Sequence, residues 1–116
     1  MELMALLGKD DGSWAQISGL MKHGDWDKIV VVGDDEARNF VSEKKFDFVK
    51  IDFSKKIVEL KEEFEKKLKG KFDGMEVACS VASGDGKEHM ALISALINLP
   101  VGVRFVALTK DGIVYL

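Results

Sequence analysis

The stretch Met75 to Met90, MEVACSVASGDGKEHM, decides the fold. Its first half, Met75 to Ala82, is an apolar run with β-branched Val77 and Val81, the composition of a strand. Ser83-Gly84-Asp85-Gly86 then turns the chain tightly, and Lys87 opens a helix-forming segment that runs to Asn98. A strand, a glycine turn and a helix in that order gather backbone N–H groups and the positive end of a helix at one point. That geometry binds anions, phosphate above all. Gly-x-Gly alone is a weak signal, because the same turn also closes empty strand–helix connections.

The same unit recurs on the amino-terminal side. Leu3 to Leu7 reads as a short strand ended by Gly8-Lys9-Asp10-Asp11-Gly12. Ser13 and Gln16 make a capping box for a helix in which Trp14, Ile17, Leu20 and Met21 recur at helical spacing, and Gly24 marks its end. Lys28 to Val32 (KIVVV) is continuously apolar, as strands covered on both faces are. Gly33-Asp34-Asp35 ends it and caps a short helix carrying Ala37, Phe40 and Val41. Phe46 to Phe53 reads as a third strand, near a sheet edge because its alternation is imperfect.

Lys55 to Lys69 is a clear amphipathic helix. Ile57, Leu60, Phe64 and Leu68 form its stripe, and Glu62–Lys66, Glu63–Lys67 and Glu65–Lys69 stand at i,i+4. The helix after Lys87 has little polar face, which predicts burial against the sheet and against a second subunit. Gly102 to Leu108 and Ile113 to Leu116 are strands joined by Thr109-Lys110-Asp111-Gly112, a hairpin signal. Strand–helix units in this alternation specify an α/β, Rossmann-like, doubly wound and mainly parallel six-stranded sheet. The expected order is 3-2-1-4-5-6 with an antiparallel C-terminal hairpin.

Composition bounds the rest. One domain, residues 1–116, is expected at this length. A net charge of −3 argues against wholesale attachment to duplex nucleic acid or to an anionic membrane. A lone cysteine, Cys79, offers no disulfide frame. No apolar run reaches the ~20 residues of a membrane span. With no charged-then-apolar leader either, the location expected is cytoplasmic. No Cys/His spacing suits a metal, and no cofactor is expected.

In an open doubly wound sheet, ligands bind at the carboxyl ends of the strands where the strand order reverses. That crevice would be lined by Gly8, Lys9, Asp10 and Ser13 on one loop and by Ser83, Gly84, Asp85, Gly86 and Lys87 on the other. Lys9, Lys87 and His89 are the candidates for stabilising charge in a reaction. Three residues of the crevice have a structural alternative: Ser13 as a helix cap, Asp85 with Glu88 three residues on as the cap of the last helix, and His89 as a hydrogen-bonded residue of its first turn. Asp10, Asp11, Asp34, Asp35, Asp52 and Asp85 form an acidic rim that could hold Mg²⁺, and Asp10–Asp11, Asp52 and Lys110 are similar to the two acids, phospho-acceptor and lysine of response-regulator receivers. Gly8-Lys9 before the acids and the terminal hairpin depart from that pattern.

The whole layout resembles the CARF domain, the Rossmann-like sensor module of CRISPR-associated proteins. Ala82-Ser83-Gly84-Asp85-Gly86-Lys87 stands where that family has Asn/Asp-x-Thr-Gly-Gly-x-Lys/Arg, with Ser83 for the threonine, Lys87 as the basic residue, and Asp85 separating the glycines. EHMALISALINL is similar to the apolar helix that follows, and KDDGS takes the place of the family's first motif. The resemblance implies a cytoplasmic homodimer that binds a nucleotide, cyclic oligoadenylate, at its two-fold axis in antiviral signalling. It leaves two alternatives: a metal-independent ring nuclease that cleaves the same ligand, and a ligand-free assembly subunit.

Overall fold

Strand β1 (Glu2–Leu7) forms the middle of the sheet because Leu3 to Leu7 are apolar and fully buried, and the buried Glu2 carboxylate is satisfied by the Asp73 and Gly74 amides. The computed structural model describes all 116 residues. Around β1 stand β2 (Lys28–Gly33), β3 (Asp47–Lys50), β4 (Glu76–Ser80), β5 (Gly102–Thr109) and β6 (Gly112–Tyr115). The order is β3-β2-β1-β4-β5-β6, as the sequence predicts. All pairs are parallel except β5–β6, which the Thr109–Gly112 turn makes antiparallel. Leu3 lies opposite Ile29 on one side and Ala78 on the other, which fixes the central register.

The period of two divides β1 between two cores. Leu3, Ala5 and Leu7 pack with Ile17, Leu20 and Met21 of helix α1 (Trp14–His23). Met4 and Leu6 pack on the other face with Leu60, Phe64 and Leu68 of α2 (Ile57–Leu68) and with Ala91, Leu92, Ala95 and Leu96 of α3 (Gly86–Asn98). Helices on both faces are what right-handed crossovers produce when strand order reverses beside β1. Cys79 is buried in the second core, and burial pushes its thiol up to about 12, so it stays protonated and unreactive. No helix is long and apolar enough to cross a membrane.

Four local expectations change. The third strand is Asp47–Lys50 and not Phe46 to Phe53: the Ile51 amide makes a last bond to the Gly33 carbonyl, and Ile51 and Phe53 fill the core beneath α2. Met75 lies outside β4 and is exposed. The segment after Gly33 is a 3-10 turn, Asp35–Asn39, whose first amides donate to the Asp34 carboxylate. Ser13 makes no capping bond to α1. Gln16 instead accepts from the Leu108 amide at 2.9 Å, tying α1 to β5.

Candidate functional site

The loops after β1 and β4 meet over the centre of the sheet, where the strand order reverses. Their contact is so close that a Cβ on Gly8 would lie 2.5 Å from the Gly84 Cα. Gly84 has φ +99°, a conformation that favours glycine, and its missing side chain would strike Leu6. These two glycines exist for the approach of one loop to the other.

A chain of hydroxyls holds them together. The Gly8 amide donates to Ser83 Oγ at 2.8 Å; the Ser83 and Ser13 hydroxyls are 2.6 Å apart; Ser13 Oγ lies 2.6 Å from the Asp10 carbonyl. Counting protons gives the direction. Ser13 has one hydrogen and a carbonyl beside it, so Ser13 donates to Asp10 and Ser83 donates to Ser13. Ser83 is buried at 1% exposure, and its hydroxyl is already committed. The Trp14 indole adds a bond to the Gly8 carbonyl at 3.0 Å, and His89 Nε2 sits 2.7 Å from the Ser83 carbonyl. Ser83→Ala would leave a buried Gly8 N–H without a partner. We expect a loss of about 1–3 kcal/mol in urea unfolding. Ser13→Ala should cost less, because Ser13 is only half-buried and water can replace its hydroxyl.

Asp85 caps α3, as one reading of the sequence has it. The Glu88 amide donates to Asp85 Oδ1 at 2.9 Å and the Asp85 amide donates back to Glu88 Oε1 at 3.1 Å, a complete capping box. The Gly86 and Lys87 amides of the first turn have no acceptor within the protein. They are the donors that an anion at this helix end would meet.

Lys87 and Lys9 are placed otherwise than the sequence led us to expect. The Lys87 ammonium donates to the Phe53 and Lys55 carbonyls at 2.8 and 2.9 Å, so it ties α3 to the segment before α2. Lys9 lines a cavity of about 380 Å³ with Asp34, Asp35, Lys50 and Asp52, over the ends of β2 and β3. Within it Lys50 pairs with Asp35 at 3.0 Å. The Ser54 hydroxyl, 2.6 Å from Asp52 Oδ1, and the Ser54 amide hold the Asp52 carboxyl below the usual range. Asp10, Asp34, Asp35, Asp52 and Asp85 of the acidic rim are thus spent on turns, caps and ion pairs.

Sequence reasoning gave Glu88 no role beyond a cap. It is the buried charge of the site, only 5% exposed, with Oε1 beneath both glycines; burial pushes its carboxyl up. A cavity of about 780 Å³ lies at the opposite edge of the sheet between the ends of α2 and α3, over Leu68, Phe72, Leu99 and Val101. No family model and no curated protein matches the chain.

Proposed function

We propose that the chain is a nucleotide-sensing domain of the CARF type, a homodimer that binds cyclic oligoadenylate through its phosphates. One observation carries the reading: the loops after β1 and β4 converge at the reversal point of the sheet, on the amino end of the thirteen-residue helix α3. The amides of Gly86 and Lys87 would hold a phosphate. The side chains of Ser83 and Lys87 stay in their structural roles.

The same helix supports the dimer. At about 100° per residue, Gly86, Met90, Ile93 and Ile97 fall within one arc of roughly 60°. Met90 and Ile97 are 62% and 66% exposed, on the side away from buried Leu92 and Ala95. Two copies packed along this stripe, about an axis parallel to α3, would set both helix amino ends at the same edge. The two cradles would then adjoin.

Gly86→Pro tests the site cleanly. Gly86 is the first residue of α3, where proline is favoured, and Asp85 already has the extended backbone (φ −114°, ψ 176°) that precedes proline. A Cβ there meets nothing within 4 Å. The variant should fold normally yet lack one amide donor, and a charge-assisted bond is worth about 1.5–3 kcal/mol. Calorimetry with cyclic tetra-adenylate and hexa-adenylate should show binding about tenfold weaker or more. Unchanged affinity would remove the site from the cradle, and no binding by the wild type would remove the ligand.

A further inference from the structure

Glu88 makes the cradle unlike a simple anion site. Its carboxylate lies directly below the contact of Gly8 and Gly84, one residue into the helix from the free Lys87 amide. It is 95% out of contact with water, since its exposure is 5%. The Asp85 amide satisfies Oε1, but no lysine or arginine pairs with the carboxylate. The nearest basic side chain in sequence, Lys87, is turned to the carbonyls of Phe53 and Lys55. A phosphate arriving at the Gly86 and Lys87 amides therefore meets a buried, unneutralised negative charge across a few ångströms of low-dielectric protein.

We propose that Glu88 couples ligand binding to proton uptake: an anionic ligand binds the cradle tightly only when the Glu88 carboxyl is neutral. This rests on the reading of the cradle as a phosphate site and adds its regulation. Burial beneath the two glycines raises this carboxyl above its ordinary value, which favours the neutral form. The charged groups that act on Glu88 are the capping residue Asp85 and, on its own helix, Lys87 and His89; the loop after β1 meets it through Gly8, which carries no charge. Of these, His89, whose Nε2 lies 2.7 Å from the Ser83 carbonyl, is the other acid–base side chain of the site, and experiment must separate it from Glu88.

Glu88→Gln does so. Glutamine keeps the shape and the acceptor oxygen, and Asp-x-x-Gln serves the capping box as well as Asp-x-x-Glu does. The wild type and the variant are titrated with cyclic tetra-adenylate at about pH 7.5 and about pH 5.5, in buffers of low and high ionisation enthalpy. Wild-type affinity should rise about tenfold on acidification, with proton uptake, while Glu88→Gln binds at the tighter level throughout. A second reading needs no ligand. The folded state raises this carboxyl above its unfolded value, so the stability it contributes is present at low pH and lost as pH rises. Glu88→Gln should therefore raise Tm more at the higher pH than at the lower.

Binding with the same pH slope in both proteins would overturn the coupling to Glu88 and leave the phosphate reading intact. No binding by either protein would remove that reading and the coupling with it.

Discussion

Gly84→Ala is expected to lose about 3–5 kcal/mol of folding stability, a large part of the 5–15 kcal/mol that holds a domain of this size together. Two costs add. At φ +99° a side chain strains the backbone, and the new methyl would strike Leu6 and come within 2.9 Å of Glu88 Oε1. Gly8→Ala has only the second kind of cost, since Gly8 has no positive φ. Its methyl would sit 2.5 Å from Gly84 Cα and 2.6 Å from Gly84 N. Those are main-chain atoms with no rotamer to escape into, so the loops must separate and the bond from Gly8 to Ser83 must break. We expect about 2–4 kcal/mol for it.

The two losses should not add, because a pair of loops already parted by one methyl accommodates the second. Urea unfolding of both single variants and the double one gives the coupling. Single losses below about 1 kcal/mol, or strict additivity, would mean that the contact between the loops is loose.

The architecture was legible because it is written in local patterns. KIVVV and ELMALL are buried on both faces, Leu60, Phe64 and Leu68 recur at helical spacing, and Asp111-Gly112 turns the hairpin. The site was legible only as a place. That the loops after β1 and β4 meet follows from strand order, but what their side chains do depends on partners far along the chain. Lys87 follows a glycine turn and reads as a phosphate ligand, yet carbonyls 34 and 32 residues away claim it. Gln16 looks like half of a capping box until the Leu108 amide, 92 residues on, takes its oxygen. Of the three i,i+4 pairs expected on α2, Glu63–Lys67 forms at 2.8 Å. Glu65 turns to Lys61 and to Asn98 of α3, a neighbour that periodicity cannot see. The Asp85–Glu88 spacing did announce the capping box. It could not announce that the capping carboxylate would be roofed by two glycines from different loops.

Ile97→Asp is expected to weaken the proposed dimer by a hundredfold or more. A two-fold interface presents the substitution twice, so each dimer would bury two unpaired charges, and every one costs several kcal/mol. Met90→Asp should act alike, being 62% exposed on the same stripe. Pairing through the open edge of β6 is the competing arrangement, and symmetry separates the two. Antiparallel pairing of β6 with its copy needs an axis perpendicular to the sheet, which reverses strand direction and sends the two cradles to opposite edges. Packing along α3 keeps them together.

Tyr115→Pro addresses the edge directly. The Leu116 amide donates to the Phe105 carbonyl, and Val114 lies opposite Ala107. Alternation then turns the Tyr115 N–H away from β5, so proline there spares the existing ladder and blocks only an added strand. Light scattering behind gel filtration should find Tyr115→Pro dimeric and Ile97→Asp monomeric, with cyclic tetra-adenylate affinity falling along with the dimer. The reverse pattern, a monomeric Tyr115→Pro beside a dimeric Ile97→Asp, would place the copies edge to edge and leave each cradle to bind alone.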